Sequence, residues 1–275
     1  MKRYIFLLLK IILNFFRIGI YAKRKKSEPL ELYKKYPNNS LRSRLFYNIG
    51  AGSFSHPYWT NVDKLSSSYE INMSDGYINY DLFSRSAIPA VNESAEAVYT
   101  SHTIEHIDDK SFVYLASEVH RMLKTEGVFR ITCPDIDLAI NALNREDYSF
   151  FEMNGKGLEG DIYLSFALYF SQIYDPSLPN SLNSSEIRNI INTESDIYEA
   201  CNKITSLNSK EIQIQNPSYH CNWYSKNKIL ELLKTVGFSK IQISGYGQSQ
   251  IEILRDTEYF DNTRPEISLY IEAYK

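Results

Sequence analysis

The run Leu45-Phe46-Tyr47-Asn48-Ile49, closed at once by Gly50-Ala51-Gly52, is the feature that most constrains this chain. A short, almost continuous apolar run bounded by glycines predicts a strand buried on both faces. Four more extended stretches follow. They are Trp59 to Val62 ending in Asp63, Ile78 to Tyr80 ending at Asp81, Ala97 to Ser101, and Val128 to Cys133. Helical spacing appears between and after them. Residues 109–124 place Phe112, Leu115, Val119 and Met122 on one side, and Pro134-Asp135 opens a helix reaching about Leu143. A third helix spans Ser225 to Val236, with Ile229, Leu232, Leu233 and Val236 inward and Gly237 at its end. Lys240 to Ser244 and Ile267 to Ala273 are the last strands. Strands alternating with helices over short links predict a parallel sheet with helices on both faces.

Residues 145–222 break that rhythm. They are rich in Tyr, Phe, Asn and Ser, and read as an insertion covering the active site. Residues 27–44 read as a polar connector with a short helical piece and a Pro-Asn-Asn break. Residues 4–21 form the most apolar stretch and admit three readings. No small-residue cleavage site follows, which disfavours a signal peptide. A span needs about 20 apolar residues, and this run carries Lys10, Asn14 and Arg17. At about 100° per residue, Arg3, Lys10, Asn14, Arg17 and Tyr21 fall within roughly 60° of one another. Residues 1–26 are therefore expected to form an amphipathic helix at an anionic cytoplasmic membrane surface, followed by the cluster Lys23-Arg24-Lys25-Lys26. The protein is then cytoplasmic and peripherally attached to the inner face of the cell membrane. A short span, or packing on its own domain or a partner, are the alternatives.

Charge excludes one broad class of partner. The chain has 275 residues and net charge −3, but eight of its 30 basic residues lie in residues 1–26, where no acid occurs. The remaining 22 basic residues face 33 acidic ones, a balance of −11. A nucleic-acid binder needs a basic surface for phosphate contacts, so no nucleic-acid partner is expected. Cys133, Cys201 and Cys221 form no CxxC pair, and read as reduced, mostly buried thiols. No Cys/His cluster has zinc-finger spacing, and no metal is expected.

Gly50-x-Gly52 after a strand lets backbone approach a ligand closely. Asp63, ending the next strand, can accept both hydroxyl hydrogens of a ribose, and Asp81 ends the third. All would lie along the carboxyl edge of the sheet, where open α/β folds bind ligands. The ordered set YNIGAG, TNVD, YDL, AVYTSHTIEHI and EVHRMLKTEGVFRITCPD resembles class I S-adenosylmethionine-dependent methyltransferases. It looks most like a small branch found among bacterial surface-polysaccharide genes, and FDNTRPEISLYIEAYK resembles that branch's terminal hairpin. The resemblance covers roughly residues 45–143 and 220–275. It implies a doubly wound α/β fold, Rossmann-like, with a mostly parallel seven-stranded sheet and an antiparallel terminal hairpin. The domain would run 45–275 with its cap inserted at about 145–222.

The resemblance also implies S-adenosyl-L-methionine as cofactor. Asn48, Gly50, Ala51 and Gly52 would lie at its amino-acid end, Asp63 at its ribose, Asp81 and Leu82 at its adenine, and Ser101 and His102 under its sulfonium. The acceptor is expected to be a small-molecule or lipid-linked sugar, methylated on a hydroxyl. Three departures stand out. Asn48 replaces an acid, Phe54 replaces the third glycine, and Gly50 and Asp63 are too close in sequence for a full intervening helix. Methylating a hydroxyl requires a base, and histidine titrates in the right range. The candidates are His102, His106 and His220, with Glu105 and Asp135 as further options. Glu105 also reads as a helix-start acid, Asp135 as an N-cap, and the histidines as packing residues. Two other functions compete. Tyr224-x-x-x-Lys228 has the spacing of a short-chain dehydrogenase pair, which would make the chain an NAD-dependent sugar-modifying enzyme. A degenerate fold would make it a non-catalytic, membrane-tethered glycan-assembly protein.

Overall fold

The computed structural model describes residues 29–65, 76–158, 160–173, 175, 177–178 and 180–275. The expected interfacial helix lies outside them. Among the described residues, no helix is long and apolar enough to cross a membrane. The chain divides into two units, residues 1–35 and 36–275. In the first, helix α1 spans Pro29–Tyr33.

The second unit is built on a seven-stranded sheet of order β3-β2-β1-β4-β5-β7-β6. The strands are β1 (Phe46–Ile49), β2 (Trp59–Asp63), β3 (Tyr77–Asn79), β4 (Ala95–Ser101), β5 (Leu123–Pro134), β6 (Lys240–Ile243) and β7 (Ser268–Tyr274). β1 pairs in parallel with β2 on one side and β4 on the other, and β7 runs antiparallel to both β5 and β6. This is the expected fold class. β1 is buried at all four positions, which is why its sequence is an unbroken run rather than an alternation. Strand order reverses at β1, so the chain leaves β1 and β4 in opposite directions. The crevice opened there is where such folds bind ligands.

One face carries the main apolar core. Helix α2 (Asn38–Arg42) precedes β1, and helix α3 (Asp109–Met122) follows β4. Asp108 starts α3 by accepting the Ser111 N–H, which satisfies one orphan donor of the first turn. Phe112, Leu115, Val119 and Met122 of α3 are at most 1% exposed. Each such side chain contributes about 1.5–3 kcal/mol of burial. They pack with Ile229 and Leu233 of a late helix, Lys226–Val236, and with Phe129, Ile131 and Cys133 of β5. Gly237 ends that late helix in the left-handed conformation.

The opposite face is different. Alternate residues of β5 and β7 point there, and the long excursion 244–267 closes over them. Arg130 is fully buried, donating to both carboxylate oxygens of Asp261 and to Glu272 Oε1. The link from β1 to β2 contains no helix. Phe54, His56 and Trp59 fill that space with Phe260 from the excursion. The lost third glycine is thus an aromatic packing residue.

Helix α4 (Ile136–Asn144) starts from the Asp135 N-cap. The insertion then supplies α5 (Tyr148–Met153), α6 (Ile162–Phe170), α7 (Ser184–Thr193), α8 (Ile197–Thr205) and α9 (Lys210–Gln215), and the late helix is α10. Phe151, Phe166, Phe170, Ile187 and Ile204 form a second core with Ile136, Ala139 and Ile140 of α4. Most of the insertion therefore packs on itself and on α4.

Candidate active site

A cleft of about 660 Å³ opens at the carboxyl edge of β1, β2 and β4. Its lining includes Gly50, Gly52, Asp63, Asp81, Leu82, His102 and His106. A cleft of this size suits a nucleoside-sized ligand. Gly50 has φ +66°, and a Cβ built on it would stand 2.2 Å from Thr103 Oγ1. Only glycine fits there, because both the backbone conformation and the close approach of the β4 loop exclude a side chain.

The wall formed by β2 and β3 is held by backbone donors. Asp63 Oδ2 accepts the Gly52 N–H and Oδ1 accepts the Lys64 N–H, each at 2.7 Å. Asp81 accepts the Phe83 N–H at 2.9 Å and pairs with Lys64 Nζ at 2.8 Å. Burial would raise the Asp81 carboxyl, but Lys64 and the Phe83 N–H hold it below the usual range.

The opposite wall follows β4. His102 adopts φ +48°, an uncommon left-handed conformation for a residue with a side chain, and turns the chain into a 3-10 helix, Ile104–His106. The Glu105 carbonyl accepts the Cys221 and Asn222 N–H groups, at 2.9 and 3.1 Å, tying the end of the insertion to this turn. Glu105 is 2% exposed, and neither of its carboxylate oxygens makes a hydrogen bond. Three imidazoles surround it. His102 Nδ1 stands 3.3 Å from Oε1 and His106 Nε2 at 4.0 Å. His220 meets His106 edge to face, with ring centroids 4.9 Å apart.

Hydrogen bonds fix the tautomers. His106 Nδ1 lies 2.9 Å from the Tyr219 carbonyl and His220 Nδ1 lies 2.7 Å from the Tyr169 carbonyl. A carbonyl only accepts, so both Nδ1 atoms carry hydrogen, and in the neutral rings Nε2 is left as a lone pair. The Ser268 hydroxyl lies 2.7 Å from the Arg264 carbonyl, to which it donates, so it accepts from His102 Nε2 at 2.7 Å. Burial pushes His220 down to about 3, with His106 and Lys156 adding to it. Burial alone would raise Glu105, but the surrounding imidazoles, His102 first, hold it at about 2.

Several expected residues fall elsewhere. Asn48, Ala51 and Ser101 line a separate hollow of about 390 Å³, with Tyr99 and Tyr259, and only Gly50 borders both spaces. Strand alternation is the reason. Asn48 pairs with Tyr99, which pairs with Arg130, so this row faces the excursion side. His220 is absent from the cleft lining and borders a small internal void with Glu105. Of the insertion, Gln213, Ile214, Gln215, Pro217 and Ser218 line the cleft. Sequence reasoning missed Thr103, Lys64 and Gln213. The first had a readable signal, since a glycine needing close approach implies a partner across from it. Tyr224 and Lys228 do not line the cleft. The Tyr224 hydroxyl accepts from Asn222 in the core, and Lys228 pairs with Asp109 at 3.0 Å, which removes the dehydrogenase reading. Asp135 caps α4 and lines neither space.

No protein-family model matches the sequence, and no curated protein matches it. Solved structures of similar shape include an S-adenosylmethionine-dependent methyltransferase from Mesorhizobium loti. It is 13% identical, with TM-score 0.41, over 90% of this chain and 96% of that one. Another, from Archaeoglobus fulgidus, is 13% identical with TM-score 0.39, over 84% and 85%. A third, from Thermotoga maritima, is described as a possible histamine N-methyltransferase. It is 12% identical with TM-score 0.40, over 89% and 99%. At these values the likeness carries no weight beside the strand order and register above.

Proposed function

We propose that the chain is an S-adenosylmethionine-dependent methyltransferase acting on a hydroxyl of a small-molecule or glycan acceptor, a sugar in surface-polysaccharide synthesis. The observation that carries this reading is one cleft with two unlike walls. On one side are Gly50, Gly52, Asp63 and Asp81, and on the other His102 and His106. The first wall fits the cofactor. Gly52, beside which a Cβ would meet nothing within 4 Å, leaves room for an amino-acid group against the backbone, Asp63 offers an acceptor for a ribose diol, and Leu82 and Phe83 border the space for an adenine.

When bound, the cofactor supplies an electrophilic methyl on a good leaving group, so the protein's main task is alignment. The acceptor hydroxyl must lose its proton as its oxygen bonds to carbon, and the imidazoles on the cleft wall are the groups to receive it. The N-terminal basic segment would bring this cleft to an anionic membrane bearing lipid-linked acceptors. The test is a screen with cofactor labelled in its methyl group, against nucleotide-linked and lipid-linked sugars. Label in a base-stable ether on one sugar class supports the reading. Label on no acceptor, from protein that binds the cofactor, favours the non-catalytic alternative.

A further inference from the structure

Glu105 is a structural anomaly. A buried carboxylate normally accepts several hydrogen bonds, since leaving one unpaired is costly. Here both oxygens lack one, in a spot 2% exposed. What surrounds them is imidazole: His102 Nδ1 stands 3.3 Å from Oε1, His106 Nε2 4.0 Å, and His220 borders the same void. In their neutral forms His106 and His220 each place the ring hydrogen on Nδ1, against a backbone carbonyl, which leaves Nε2 as a lone pair able to ligate a metal. A buried carboxylate gathered with two imidazoles in metal-binding tautomers is a place for a cation.

We propose that Glu105, His106 and His220 bind a single divalent transition-metal ion of the zinc type. One ligand atom from each lies within 4.8 Å of the others. Zinc bonds of about 2.0–2.1 Å put tetrahedral ligands about 3.4 Å apart, so loading draws the widest pair in by somewhat over an ångström. Two imidazoles and one carboxylate are a ligand set of open, catalytic zinc sites, where a fourth position takes water or substrate. The outer contacts also match, since a ligating histidine regularly passes its other ring N–H to a carbonyl, which fixes its tautomer and orientation. Glu105 and His220 border a void of about 10 Å³, room for one small occupant. The ligands are held from two sides of the chain. The Glu105 carbonyl binds the Cys221 and Asn222 N–H groups, and Gln213 Nε2 donates to the carbonyls of His106 and Tyr219. Among these ligands His106 also lines the cleft, so the site adjoins the proposed acceptor space.

The ion site stands on this geometry alone. Its role rests on the methyltransferase reading: the ion would bind the acceptor hydroxyl and lower its pKa, leaving His102 as the imidazole nearest the leaving proton. The sequence led us to expect no metal, because His-Glu-His ligands separated by more than 100 residues follow no short-range spacing.

The full chain, stripped with a chelator and free of cofactor, is titrated with Co²⁺ by absorption and with Zn²⁺ by calorimetry. We expect one ion per chain and visible bands of a low-symmetry nitrogen–oxygen site. Glu105→Gln, His106→Asn and His220→Ala should each weaken binding at least about 100-fold, while His120→Asn leaves it unchanged. Near-UV circular dichroism confirms that each variant is folded, and the wild-type spectrum tests the site without any substitution. No stoichiometric binding by wild type, or equal binding by folded ligand variants, overturns the proposal. Because cofactor is absent throughout, these outcomes are separate from failure of the methyltransferase reading.

Discussion

The two walls of the cleft are built on opposite principles. Along β2 the carboxylate of Asp63 is held by two backbone N–H groups, each at 2.7 Å. Past β4 the carboxylate of Glu105 is more deeply buried, yet it accepts no hydrogen bond. The first wall is finished as folded, and presents a fixed acceptor to whatever enters. The second is left electrostatically incomplete, held by the imidazoles around it. A satisfied wall suits recognition, because it costs no reorganisation when ligand binds. An unsatisfied one suits chemistry, because its groups still have protons or ligands to exchange.

The largest expected effect breaks the junction of the walls. Gly50→Ala forces a side chain onto a left-handed residue and into Thr103. It should lower stability by about 2–4 kcal/mol, read from urea midpoints, and abolish cofactor binding at working concentrations. A variant as stable as wild type would mean the β1 and β4 loops are not pressed together. Next comes the chemical wall. His102→Ala should lower turnover about 100-fold, near 2.7 kcal/mol, and leave cofactor affinity within about threefold. Equal losses in both would make His102 part of the recognition wall instead.

The smallest effect lies outside the cleft. His56 Nδ1 accepts the Tyr58 N–H, and burial holds this imidazole down at about 4. Between about pH 6.5 and 4 the unfolded chain binds a proton at this position that the folded chain refuses. Stability therefore falls as pH falls through that window. His56→Gln should flatten part of that slope in urea melts run at each pH. An unchanged slope would assign the acid sensitivity to the histidine wall.

The recognition wall was largely legible in the sequence and the chemical wall was not. Gly50, Gly52, Asp63 and Asp81 sit at strand ends, and a strand end is a local signal carried by a short apolar run and its punctuation. Asn48 and Ser101 line the neighbouring hollow, and the information for that was present. Side chains alternate along a strand, and Asn48, Tyr99 and Arg130 share one row. Glu105 looked like an acid favouring a helix start. Its burial depends on His220, brought back by the Cys221 and Asn222 N–H bonds to its own carbonyl across the whole insertion. No periodicity encodes that contact. The aromatic filling between β1 and β2 was equally hidden, since Phe54 meets Phe260 only through the tertiary fold.

The central claim is that the β2 wall is a cofactor site, and a calorimetric titration of wild type and Asp63→Ala with S-adenosylhomocysteine tests it most directly. The account expects one site per chain of about micromolar affinity, near −8 kcal/mol, weakened by about 1–3 kcal/mol in the variant. Absence of binding by well-folded wild type, or identical affinity in the two proteins, would contradict it.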